Sequence, residues 1–278
     1  MSISVEICSK SPIRIDLDEI CGDKYYYGVR DMYDIVRRGE VDNYLIFFDC
    51  MMFGRGVEFT FVNKNKVELR INAPAGTSDL ELFMYLIKEI VKVANADEII
   101  CEGEVYSIDS LGRIREEVEA NMKSGLDFLL RPTEENVEII AVEGPIAIDD
   151  EERSKFKDGQ KEFDEYLDCK QSMPGTNELL VPMIANTDKG SIWCLFLKAG
   201  RYVILPKYAR PRNKNMKVDK YLVFYSGEDK KAIDYRNFLK EVDISKRYDA
   251  ERFIVKLSKV QLKDIFDKYP DELGKYQG

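Results

Sequence analysis

The sequence contains no histidine. That absence closes Ser-His-Asp and Cys-His nucleophile systems and every metal site built on imidazole. It also removes the side chain whose proton exchange falls nearest neutral pH. Any catalysis must then run on carboxylates, lysine, tyrosine or cysteine, and an enzyme recedes behind a binding protein. Cysteine pairing motifs are missing too. Cys8, Cys21, Cys50, Cys101, Cys169 and Cys194 include no Cys-x-x-Cys pair and are too sparse for a disulfide scaffold. Cys50, Cys101 and Cys194 sit in apolar, strand-like runs, where a thiol behaves as a small hydrophobe. Reduced thiols in a cytoplasm are the expectation. Met1-Ser2-Ile3-Ser4-Val5-Glu6-Ile7 lacks the basic start and apolar stretch of a secretory signal. The densest apolar run, Tyr44-Leu45-Ile46-Phe47-Phe48, falls far short of the about 20 residues that span a bilayer, so no membrane association is expected.

What is present suits a globular chain. Its 278 residues accommodate one large or two modest domains, and 45% hydrophobic residues can fill a core. The net charge of -9 repels phosphate backbones unless basic residues cluster. Acidity reads first as a solubility feature, and a basic protein partner is the sharper alternative.

Periodicity supplies the elements. Val5 to Ile7 and the alternation Ile13-Arg14-Ile15-Asp16-Leu17 predict short strands, and Asp31 to Arg38 a short helix on Met32, Ile35 and Val36. Tyr44 to Asp49 reads as a buried strand. Val57 to Val62 and Val67 to Ile71 alternate about the polar turn Asn63-Lys64-Asn65-Lys66, which predicts a β-hairpin with one buried face. Ser78-x-x-Glu81 matches a capping box ahead of a helix from about Asp79 to Ala94. Short strands at Glu98–Cys101 and Glu104–Ser107, a helix from Asp109 to Lys123 and a strand at Val137–Val142 follow. The acidic Asp149-Asp150-Glu151-Glu152 suits the start of a helix running to about Asp168 without invoking a metal. Leu179–Ala185, Ser191–Leu197, Tyr202–Leu205, Tyr221–Tyr225 and Arg252–Leu257 read as strands, with Ala199-Gly200 turning the second and third as a hairpin. Helices are predicted at Asp229–Lys240 and Lys259–Tyr269. Gly144-Pro145 is the preferred division, giving subdomains 1–144 and 145–278. The fold class is α+β: mainly antiparallel sheets and hairpins covered by amphipathic helices.

Few motifs suggest chemistry. Gly54-Arg55-Gly56 precedes a strand, whereas a phosphate loop precedes a helix, so Arg55 is a weak binding candidate and the glycines favour a turn with a bulge. Glu102 and Glu104 would share a face of an unbroken strand, as a cation site or acid pair requires, but Gly103 between them favours a turn that splays them. Lys207, Arg210, Arg212, Lys214, Lys217 and Lys220, bounded by Tyr208 and Tyr221, form the one strongly basic stretch. Aromatics beside cations suit single-stranded nucleic acid, an acidic partner is equally served, and a solvated loop is the bland alternative. Tyr25-Tyr26-Tyr27 must divide between core and surface, and Trp193 reads as a core anchor.

Arg55-Gly56-Val57-Glu58 before a strand, Pro74 ahead of a helix carrying Leu82-Phe83-Met84-Tyr85-Leu86, Glu102-Gly103-Glu104-x-Tyr106 and Trp193-Cys194-Leu195-Phe196-Leu197-Lys198 together resemble a bacterial family known as domain of unknown function 4299. The resemblance implies a bacterial cytoplasmic protein and supplies no activity, cofactor or catalytic residue.

Three functions follow as expectations. The first is a non-enzymatic protein-binding module, with an immunity-type protein that covers a basic toxin as its concrete form. The second is a histidine-free enzyme or small-ligand protein using carboxylates and tyrosines, recognised by a deep pocket of converging charges. The third, nucleic-acid binding through residues 207–220, is less expected. No cofactor, metal ligand or catalytic residue is assigned.

Overall fold

The computed structural model describes residues 1–31, 34–37, 43–52, 54–96, 98–172, 177–180, 182–187, 189–209, 217–225 and 231–272. Two units, Met1–Ser172 and Met173–Gly278, each build their own core. Gly144-Pro145 opens a strand inside the first of them.

In chain order, the first unit holds β1 (Ser2–Cys8), α1 (Leu17–Cys21), β2 (Tyr25–Arg30), β3 (Val36–Arg37), β4 (Tyr44–Asp49), β5 (Val57–Asn63), β6 (Lys66–Asn72), α2 (Thr77–Ala94), β7 (Glu98–Cys101), β8 (Glu104–Tyr106), α3 (Leu111–Leu129), β9 (Val137–Ala141), β10 (Gly144–Ile148), α4 (Asp150–Arg153) and α5 (Gln160–Ser172). Among the described residues, eight strands form one sheet in the order β3-β2-β4-β5-β6-β1-β7-β8, every neighbouring pair antiparallel. The predicted hairpin is β5–β6, paired from Val57↔Ile71 to Phe61↔Val67 with a register shift between Phe61 and Asn63 beside the turn. Alternation puts Val5, Ile7, Phe59, Val67 and Leu69 on one face, all fully buried against Leu82, Phe83, Leu86, Ile87 and Ile90 of α2. Burying each such side chain contributes about 1.5–3 kcal/mol relative to exposure. Leu126, Ile139, Ile146, Phe156 and Phe163 make a second core where α3, the β9–β10 hairpin and α5 meet.

The second unit holds β11 (Asn177–Leu179), β12 (Met183–Thr187), β13 (Gly190–Leu197), β14 (Tyr202–Pro206), β15 (Lys220–Tyr225), β16 (Lys231–Asp234), α6 (Tyr235–Leu239), β17 (Arg252–Lys256) and α7 (Lys259–Asp267). Its described strands make two sheets, β11-β14-β17 and β12-β13-β15-β16, which include the parallel pairs β11–β14 and β13–β15. Between the sheets lie Trp193, Leu195, Leu205, Val223, Tyr235, Phe238 and Phe253. Trp193 is buried, as a core anchor should be.

The α+β class, with mostly antiparallel sheets, is the one observed, and several elements differ from expectation. Ile13 to Asp16 forms no strand, because Asp16 turns its carboxylate onto the N–H groups of Asp18 and Glu19 and caps α1. Val36–Arg37 is a strand rather than part of a helix, paired with Val29 and Arg30. Residues 32, 33 and 38 of that predicted helix lie outside the described residues. The acidic helix from Asp149 is broken into α4, a 3-10 turn at Ser154–Phe156 and α5. Leu179–Ala185 divides into β11 and β12, and the start of the predicted helix at Asp229–Lys240 is instead β16. β13 and β14 are not a hairpin: the turn at Gly200 carries the chain from one sheet to the other. No described helix is long and apolar enough to cross a membrane.

Charge divides with the units. Residues 1–172 carry 21 Lys and Arg against 37 Asp and Glu, a difference of -16, and residues 173–278 carry 21 against 14, a difference of +7. Together these give the overall -9.

Candidate functional site

Arg55 lies at the centre of a buried polar node. The Asp79 carboxylate, in the first turn of α2, accepts from the backbone N–H groups of Arg55, Gly56 and Gly76, each at 2.9 Å. The Arg55 guanidinium donates to the carbonyls of Ile140 and Pro74, both at 3.0 Å. Arg30 donates to the Arg55 carbonyl at 3.0 Å and to Ala141 at 2.8 Å, and the Gln171 amide donates to Gly54 at 3.0 Å. Burial pushes the Asp79 carboxyl up, with the three N–H groups and Arg55 pulling it back, and pushes the Arg55 guanidinium down to about 10. A Cβ on Gly54 would meet the Asp79 carboxylate at 2.2 Å, and Gly56, at φ 78°, would meet Ile46 at 2.5 Å. The two glycines are therefore explained by close approach and a turn. The hydrogen bonds described for the node join side chains to backbone, so its chemistry is to tie β5, α2, the β9–β10 hairpin and α5 together. The predicted box from Ser78 to Glu81 is replaced one turn edge earlier by Gly76 and Asp79.

Glu102 and Glu104 do not converge. Glu102 occupies the left-handed region at φ 48° in the β7–β8 turn, and its carboxylate accepts from the Ser4 N–H at 2.8 Å. Glu104 accepts from the Tyr106 hydroxyl at 3.3 Å. That hydroxyl also donates to Glu117 on α3, which accepts from the Cys101 thiol at 3.6 Å. Burial, then Glu117, pushes Cys101 up to about 12, which makes the thiol a poor nucleophile.

In the basic stretch, Lys207 donates to the carbonyls of Asp249 and Ala250, both at 3.2 Å, and so closes a turn. Lys217 is exposed, and Arg210, Arg212 and Lys214 lie outside the described residues.

Two surfaces had no signal in the sequence beyond alternation. The first is the outward face of the eight-stranded sheet. Ser2, Ser4, Glu6, Glu58, Thr60, Glu68, Arg70 and Glu98 are all part or fully exposed there, while the residues between them on β1, β5 and β6 are buried. Cross-strand register sets Glu6 directly opposite Glu68, and Cys8 opposite Glu98. Facing like charges destabilise a sheet slightly. Lys66 relieves Glu6 at 2.6 Å, and Asn72 donates to Glu58 at 2.6 Å. The second is an open groove of about 630 Å³ between α2, α3 and residues 157–160, floored by Leu80, Met122 and Leu126. Its carboxylates Glu81 and Glu119 both face Arg115, with Glu81 bidentate at 2.8 and 2.9 Å. Glu81 is held below the usual carboxylate range by that guanidinium. No group of three acidic or cysteine side chains able to hold a metal ion occurs among the described residues.

A family model described as Domain of unknown function (DUF4299) matches residues 2–265. No curated protein and no solved structure matches the chain.

Proposed function

The chain belongs to the DUF4299 family, and from that premise we propose that it is a non-enzymatic protein-binding module whose partner presents a basic surface. One observation carries the reading. In a unit of charge -16, Glu6, Glu58, Glu68 and Glu98 stand on one side of a broad sheet whose other side is its core. Rigid strands fix their spacing, and a fixed acidic array steers a basic protein and selects against acidic ones. An immunity-type protein that covers a basic toxin is the concrete form, acting in a bacterial cytoplasm where the six thiols stay reduced.

The test is capture from the native host with the full chain at low and high salt, followed by the variant Glu68→Lys with Glu98→Lys. A stoichiometric partner of high isoelectric point, lost at high salt and lost by the variant, is expected. Recovery of no such partner, or of one indifferent to both substitutions, would overturn the reading.

A further inference from the structure

The +7 charge of residues 173–278 is not spread evenly around that unit. On the outward side of the β14–β17 pair, Tyr202 stands opposite Lys256 in register. The ammonium groups of Lys256 and Lys246 each lie 4.9 Å from the Tyr202 ring centroid. They are therefore within about 10 Å of one another, no more than one Debye length at about 0.1 M salt, and act on a ligand as a single field. Both lysines are exposed. Neither has a carboxylate within ion-pair distance among the described residues. The acids flanking Lys246 in the chain are already engaged. Asp243 accepts from the Ser245 N–H at 2.9 Å, and Asp249 holds the Arg252 guanidinium at 2.9 Å. At the far end of β17 comes Arg252, stacked 5.3 Å from the Tyr248 ring and paired with Asp249, and just past the end of β14 comes Tyr208, which is 56% exposed.

A tyrosine ring clasped by two lysines outside any ion pair among the described residues, with an exposed aromatic beyond them, is the chemistry that receives a phosphodiester chain. We propose that this face of the second unit binds single-stranded nucleic acid, with Lys246 and Lys256 on successive phosphates and Tyr208 offering a stacking platform. The single strand is chosen over the duplex for two reasons. Bases must be unpaired to stack on a side chain. A duplex also packs one charge into about every 1.7 Å, which raises repulsion from the acidic unit in the same chain. The surface is independent of the acidic sheet face and stands or falls separately from it.

The experiment is fluorescence anisotropy of the full chain with a labelled mixed-sequence oligonucleotide of about 20 nucleotides, from about 25 to 200 mM salt. The wild-type chain is expected to bind with a steep salt dependence. Lys246→Gln with Lys256→Gln is expected to lose about tenfold in affinity at the lowest salt and to flatten the log–log salt slope by about 1.4, the share of two phosphates on a single strand. Lys92→Gln with Lys161→Gln removes the same charge from exposed positions in the first unit and should leave both values unchanged. Absence of binding at the lowest salt overturns the proposal. So does equal weakening by both double variants, or binding of polyglutamate as tight as that of the oligonucleotide.

Discussion

The two units differ in sign and in wiring. The first is acidic at -16, and its large sheet is wholly antiparallel; the second is basic at +7, and both of its sheets contain a parallel pair. A whole-chain charge of -9 describes neither. The lesson is that net charge speaks to partners only unit by unit, since a partner meets a surface and not a sum. Each unit nevertheless stabilises a turn in the same way, with a buried aspartate that collects backbone N–H groups beside an arginine: Asp79 with Arg55, and Asp249 with Arg252.

The largest expected effects break the comparison at those aspartates. Asp79→Asn turns an amide toward three inward-facing N–H donors and leaves Arg55 without its counter-charge. It should cost the first unit about 3–5 kcal/mol, measured by urea unfolding, with the second unit's transition unmoved. A common loss in both transitions would show that the units do not unfold separately. Gly54→Ala should follow at about 1–3 kcal/mol, because its methyl group enters the space of the Asp79 carboxylate.

Acid titration sharpens the contrast next. Burial raises the Glu152 carboxyl, but Lys155 at 2.7 Å and Lys170 at 3.0 Å hold it below its ordinary value on balance. The unfolded chain therefore takes up that proton first, and the stabilisation is complete above the unfolded value of about 4.3 and lost as pH falls through the folded one. The stability gap between wild type and Glu152→Gln should be widest above about pH 5 and narrow steadily below it, read by denaturant melts across that range. Salt gives a smaller separation. Screening relieves self-repulsion, so added salt should raise the melting temperature of the first unit by more than that of the second, in differential scanning calorimetry. The smallest effect is in thiol labelling. Cys169 is exposed and should react first in the native chain, whereas Cys21 and Cys101, each pushed up to about 12 by burial, and the buried Cys194 should react only on unfolding.

Local order was legible, and long-range order was not. The β5–β6 hairpin, the helices α2 and α7, the strand β17 and the first part of α3 follow from patterns held within a few consecutive turns or residues. But α3 runs past its expected end at Lys123 to Leu129, because Gly125 packs against Ala73 and Pro74. Tyr25 buried and Tyr26 exposed follow from alternation. Val36 and Arg37 could not be placed, because two residues carry no period and their pairing with β2 is tertiary. Sequence neighbours usually pair, which predicts a hairpin at Gly200, and only the packing sends β13 and β14 to different sheets. The polar node shows the same limit. The Gly54-Arg55-Gly56 turn was visible, but its anchor Asp79 lies 24 residues from Arg55 and reads alone as a helix-dipole carboxylate. Tyr202, Lys246 and Lys256 are scattered over the second unit, and no window of sequence contains all three.

The place of β1 in its sheet has a consequence for synthesis. Of the strands in this sheet β1 is the earliest in the chain, yet its partners on the two sides are β6 and β7, which end at Asn72 and Cys101. Until residue 101 has emerged, the backbone donors and acceptors of Val5 to Cys8 have no native partner on one side, and until residue 94 the strand's apolar face has no α2 to cover it. The earliest strand of the sheet thus waits for β7, and the nascent chain carries an open seam over the roughly ninety residues between them.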